Sequence, residues 1–126
     1  MTAGPPGDRR IALCRSVIDI RKAVGDSLGF ALCPSPIWDM LLDLFLAHHE
    51  GRDVYLWPLC MVANTPLSTA HRKINEMERQ GLLVRTAAAR DRRRIGVAIS
   101  AQGLATVTSL LDRIEGICQA VVASGL

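Results

Sequence analysis

At Gly81 the hydrophobic period of this chain changes from that of a helix to that of a strand. Before it, Leu67, Ala70, Ile74 and Met77 recur at spacings of 3, 4 and 3, which lines them along one side of an α-helix. After it, residues 82–86 and 94–100 read as two β-strands, and Ile95, Val97 and Ile99 alternate in the second. The helix is expected over 66–80, with Thr65 as its cap, Pro66 in the first position and Gly81 as its stop. A short helix over 56–62 precedes it, tolerating Pro58 in its first turn, and Ala63-Asn64 supplies the turn between the two. Helix, turn, helix and hairpin in this order predict a mainly α fold with a small β-hairpin wing, a winged helix-turn-helix.

The side of 66–80 opposite the apolar stripe carries Ser68, His71, Arg72, Asn75 and Arg79. Arginine can bond bidentately to guanine O6 and N7, and asparagine to adenine N6 and N7. Ser68 and Thr69, at the helix start, suit phosphate oxygens together with the first backbone N–H groups. The loop between the strands, within a wing over 87–94, holds Arg90, Arg92, Arg93 and Arg94. Asp91 offsets part of that charge and can pair with Arg93 to shape the wing, leaving guanidinium groups for a minor groove or for phosphates. Between Pro66 and Arg94 there are eight basic and three acidic residues, a local +5; the whole chain carries +3, so the remainder is −2. Cationic charge is concentrated where a polyanion would be met.

The flanks read as helices that pair two copies. In an N-terminal helix over 8–30, Leu13, Val17, Ile20 and Val24 form a heptad-like stripe. In a C-terminal helix over 101–124, capped by Ser100, Leu104, Val107, Leu111, Ile114, Cys118 and Val121 continue an a/d seam at spacings of 3, 4, 3, 4 and 3. Between them, 35–100 forms the DNA-binding lobe, opening on a helix with Ser35 as cap, Ile37, Met40, Leu41, Leu44 and Phe45 on its apolar face, His48 and His49 in its last turn, and Gly51 as its stop. Residues 52–55 suit a small strand, and 1–7 (MTAGPPG) a disordered leader. The 126 residues suit one domain, and the 49% hydrophobic content supports a packed core.

Cys14, Cys33, Cys60 and Cys118 are scattered, which suits reduced, buried thiols in a cytoplasmic protein. No pair among them and His48, His49 and His71 has zinc-ligand spacing, so neither a metal nor a cofactor is expected. No apolar run reaches the ~20 residues needed to span a bilayer, and no signal peptide is visible. Asp39 and Asp43, one helical turn apart, read as solvent-facing charges, and no nucleophile–base pair or Gly-rich phosphate loop points to an enzyme.

The stretch STAHRKINEMERQGLLVR resembles the MarR (multiple antibiotic resistance regulator) family of winged-helix transcription factors. Ser68, Thr69, Arg72, Met77, Glu78, Gly81, Leu82 and Arg85 stand where the family pattern has them, and so do Asp91, Arg92 and Arg93 in the wing and Ser100 and Gly103 at the junction that follows. The chain departs from the pattern in having one main helix after Ser100, Tyr55 at the usual Ser/Thr cap, Pro58 close behind it, and His71 and Lys73 in the second helix. The resemblance implies a homodimer on a pseudo-palindromic double-stranded DNA site, usually a repressor, with a small-molecule effector or cysteine oxidation as possible signals. Two rival readings use the same residues: a winged-helix module whose basic face meets a protein, and a redox-responsive regulator acting through Cys14 or Cys118.

Overall fold

The computed structural model of the protein describes residues 6–87 and 94–125. Its elements are α1 (Pro6–Leu28), α2 (Pro36–Glu50), α3 (Leu56–Val62), α4 (Leu67–Arg79), β1 (Leu83–Ala87), β2 (Ile95–Ile99) and α5 (Ala101–Ala123). The mainly α winged helix expected from the sequence is the fold observed. The first helix starts earlier than expected and takes in residues 6 and 7 of the predicted leader. The expected 66–80 helix is observed one residue shorter at each end.

The core is organised on α2, which touches α1, α3, α4, α5 and β2. Met40, Leu41, Leu42, Leu44, Phe45, Leu46 and Ala47 are all buried. The sequence suggested one apolar face, but the middle of the helix is enclosed on nearly every side. Each large aliphatic or aromatic side chain buried here stabilises the fold by roughly 1.5–3 kcal/mol. Asp39 and Asp43 are correspondingly not free solvent-facing charges: Asp39 pairs with Arg21 at 2.9 Å and Asp43 with Arg52 at 3.0 Å.

Backbone geometry closes the helices as the residue types require. Gly51 and Gly81 stop α2 and α4 with φ of 67° and 79°, which glycine adopts without the cost a Cβ would bring. After α4, Gly81 N–H bonds Glu78 O at 3.0 Å and Leu82 N–H bonds Met77 O at 2.9 Å, the paired bonds of a Schellman stop. Ser100 opens α5, its hydroxyl accepting from Gly103 N–H at 2.9 Å and donating to Gly81 O. The other two predicted caps differ. Ser35 makes no side-chain capping bond, and the cap of α4 is Pro66 rather than Thr65, whose buried hydroxyl has no partner among the described residues.

β1 and β2 form an antiparallel pair from Leu83↔Ile99 to Ala87↔Ile95. Residues 52–55 contribute a single bridge, Tyr55↔Gly96, with Val97 N–H bonding Val54 O at 2.9 Å. Leu83, Val97 and Ile99 turn inward, and Val84 outward.

The terminal helices are used differently from the sequence expectation. Val107 and Leu111 are fully buried and Val17 nearly so, all within the core of one copy. Leu13, Leu104 and Ile114 pack against that core, and Val24 is half-buried. Val17, Val107 and Leu111 are therefore committed to the core of one copy, while Leu13, Val24, Leu104 and Ile114 keep part of their surface uncovered. The physical reason is that α5 crosses α1 and α2 and uses the first half of its seam to close the monomer. Arg10 fastens the crossing by bonding both Asp112 oxygens, at 2.9 and 3.0 Å. Beyond it Cys118 and Val121 are exposed, as is Ile20 on α1.

Cys14 belongs to the same core. Its thiol is fully buried and lies 3.6 Å from Leu42 O. Burial, with a smaller contribution from the Asp43 charge, pushes its pKa up to about 12. A buried thiol held neutral in this way is a poor nucleophile. Cys60 is buried as expected, whereas Cys33 is half-buried and Cys118 exposed.

Candidate nucleic-acid interface

The two helices of the motif, α3 and α4, meet at a turn in which Asn64 takes φ 52°, a left-handed value that asparagine tolerates. Leu59, Cys60 and Ala63 on one side and Ala70, Ile74 and Met77 on the other are buried. Ala70 is fully buried and small, which lets the helices approach. Leu67, expected to face the core, is the first residue of α4 and is 41% exposed.

With that back face buried, Ser68, Arg72, Asn75 and Arg79 stand exposed, and Thr69 is half-buried in the first turn. The helix start has no side-chain cap. His71 differs from the expectation of an outward-facing residue. It is half-buried and lines a cleft of about 420 Å³ with Tyr55, Leu56, Trp57, Pro58, Arg94 and Ile95.

Arg94 joins the start of β2 to the motif. It is exposed at the foot of β2, and its guanidinium lies 5.2 Å from the centre of the Tyr55 ring, a cation–π contact that ties the wing root to the start of α3. Arg90, Asp91, Arg92 and Arg93 lie outside the described residues.

Arg85, which the sequence reading counted as charge and matched to the family pattern without giving it a contact, reaches the exposed face of α4. From β1 its Nη2 donates to Asn75 Oδ1, and its Nε lies 3.4 Å from Glu78 Oε1. Asn75 is thus tethered to the wing strand. The available signal was the opposite charge of Glu78 and Arg85 across the Gly81 turn. Lys73 turns aside from the exposed face to pair with Glu76 at 3.4 Å.

Among the described residues no group of three or more His, Cys, Asp and Glu is placed to hold a metal, and no helix is long and apolar enough to cross a membrane.

No protein-family model matches this sequence, and no curated protein does. Solved structures do match. A point mutant of S. aureus MepR bound to an oligodeoxyribonucleotide has a TM-score of 0.60 at 18% identity, covering 89% of this chain and 80% of that one. The transcriptional regulator Tm0710 from Thermotoga maritima has a TM-score of 0.58 at 20% identity, covering 87% and 75%. The S. aureus MepR–DNA complex has a TM-score of 0.53 at 19% identity, covering 68% of this chain and only 60% of that chain's length. The chain shares the winged-helix fold of these solved structures. At these identities the likeness is one of architecture.

Proposed function

We propose that this chain is a sequence-specific double-stranded DNA-binding transcriptional regulator of MarR type, acting in the cytoplasm as a homodimeric repressor. The observation that carries the reading is the division of α4. Its apolar face is buried against α2 and α3, and the face left exposed holds Ser68, Arg72, Asn75 and Arg79 beside a wing rooted at Arg94. A helix presented in this way enters a major groove with its N-terminal half. Arg72 and Asn75 face bases, Ser68, Thr69 and the first N–H groups of α4 hold phosphates, and the wing arginines grip alongside. MepR, which shares the fold, has been crystallised with DNA.

What α5 leaves uncovered supports a second copy. Ile117, Val121 and Val122 are exposed beyond the Arg10–Asp112 crossing. A cleft of about 500 Å³ lined by Arg9, Leu13, Glu115, Cys118, Gln119 and Val122 lies between the ends of α1 and α5. Apolar side chains at the far end of a helix seam are readily covered by the same surface of a twofold-related copy. Two copies place two α4 helices on a pseudo-palindromic site.

The test is fluorescence anisotropy with a labelled random duplex over a salt series. Affinity is expected to fall steeply and linearly on a log–log plot as counterions are released. A protein that binds no duplex at low salt is not a DNA-binding regulator, and a protein-facing basic surface becomes the better reading.

A further inference from the structure

The bond between Arg85 and Asn75 bears on what α4 can read. Asn75 and Glu78 are three residues apart on α4, so they share a side of the helix. Arg85, on β1 and paired in register with Val97, reaches both. Its side chain is only 25% exposed, and the Glu78 carboxylate lies 3.4 Å from Nε, an ion pair without a hydrogen bond, for Nε has no hydrogen-bond partner among the described residues. The outer nitrogen, Nη2, donates to Asn75 Oδ1.

A carboxamide has one acceptor end and one donor end. Adenine requires both, because its N6–H₂ donates while its N7 accepts. A hydrogen bond from a guanidinium is charge-assisted and about twice as strong as a neutral one. It holds the Asn75 oxygen towards β1, and the planar amide then turns its NH₂ branch away from that strand.

We propose that Arg85 is a specificity-determining positioning residue. It fixes Asn75 as a hydrogen-bond donor, so that the base pair facing Asn75 is read as guanine, whose N7 and O6 both accept, in preference to adenine. This deepens the DNA-binding reading above and rests on it. It also revises the adenine contact expected from the sequence. Neither Arg85 nor Glu78 needs to touch DNA; the wing strand supplies the constraint and α4 delivers it.

The experiment has two arms. In the free wild-type protein, NMR should show a single Asn75 side-chain amide with cross-relaxation to the Arg85 guanidinium. An Asn75 amide averaged over rotamers, without that contact, overturns the proposal whether or not DNA binds. In the second arm, bound duplexes are selected from a random pool with wild type, Asn75→Ala, Arg85→Met and the double variant. Asn75→Ala identifies the base pair concerned by losing its preference. Wild type is expected to favour guanine there, and Arg85→Met to move the guanine-to-adenine ratio roughly tenfold towards adenine. The double variant should match Asn75→Ala, because Arg85 acts through Asn75. An unchanged preference in Arg85→Met overturns the proposal, as does a uniform loss of affinity across all sequences, which would make Arg85 a phosphate contact. A wild type that binds no duplex removes the base preference along with the function, and the NMR arm then reports separately whether the Arg85–Asn75 bond exists.

Discussion

Arg21 on α1 and Asp39 on α2 form a bidentate ion pair: Nε lies 2.9 Å from Oδ1 and Nη2 lies 3.2 Å from Oδ2. The same Nη2 donates to Cys33 O at 3.0 Å, so one guanidinium joins both helices and the turn between them. The side chains are 19% and 11% exposed, and the hydrogen bond to Asp39 raises the Arg21 pKa above its ordinary value. Removing one partner strands a shielded charge. Asp39→Asn is expected to lower stability by about 1–3 kcal/mol in urea denaturation. Arg21→Met combined with it should recover part of that loss, because no charge is then left unpaired.

Two glycines of α5 should respond oppositely to alanine. A Cβ on Gly103 would lie 2.1 Å from Leu82 O and 2.9 Å from Ile99 Cγ1, whereas one on Gly116 meets nothing within 4 Å. The Leu82 backbone is held by the Gly81 turn and by Ser100 N–H at 3.1 Å, so it cannot yield freely. Gly103→Ala is expected to destabilise by about 1–3 kcal/mol. Gly116→Ala should stabilise by about 0.5–1 kcal/mol through helix propensity. Both are read from thermal or urea melts.

The two halves of the α5 seam should separate experimentally. Leu111 is fully buried within one copy, while Val121 is 45% exposed. Leu111→Ala is expected to cost about 2–5 kcal/mol at every protein concentration. Val121→Ser should leave the monomer fold intact and weaken self-association by sedimentation. The exposed Cys118 thiol should alkylate more slowly as concentration rises and dimer forms, with Cys14 unreactive until the chain unfolds.

His49 is expected to give the fold a modest pH dependence, because its exposed ring is only partly desolvated. Partial desolvation first, and then the charges of His48 and Arg10, lower its pKa from the ordinary 6.5. Its ring also packs on Phe45 at 4.5 Å. The folded state binds the proton less readily than the unfolded chain. Its contribution is therefore fully present above about pH 6.5 and is lost as pH falls through the folded value. Wild type should lose more stability than His49→Gln between about pH 7.5 and about pH 5.5 in urea titrations.

On DNA, two arginines should differ in kind. Arg72→Ala is expected to relax preference at one base pair by roughly 1–3 kcal/mol. Arg92→Ala should weaken binding to all sequences about equally and reduce the salt slope by about one. Competition binding with single-base operator variants distinguishes the two.

Much of this architecture is written in short-range signals. The turn at Gly81, the Ser100 cap and the change of period between them involve residues a few positions apart, and local backbone preference decides them. The two-faced character of α4 is equally local: Ala70, Ile74 and Met77 are buried and Arg72 and Arg79 exposed where helical spacing puts them. Thr65 is the local signal that failed: its buried hydroxyl has no partner among the described residues, and Pro66 takes the capping position.

The order of elements, the exposed chemistry of α4 and the concentration of positive charge between Pro66 and Arg94 all follow from residue types and their spacing. Which apolar side chains close one copy, and which remain for another, is settled by packing. A heptad stripe records that Val107, Leu111 and Val121 need cover, but its period is the same whatever supplies it. The crossing of α1 and α5, pinned by Arg10 and Asp112, buries the first two and leaves the third exposed. Likewise no local rule joins Arg85 to Asn75, or Arg21 to Asp39. Those pairs exist because the fold brings distant groups within hydrogen-bond reach, and that distance is set by how the helices and the hairpin pack rather than by spacing along the chain.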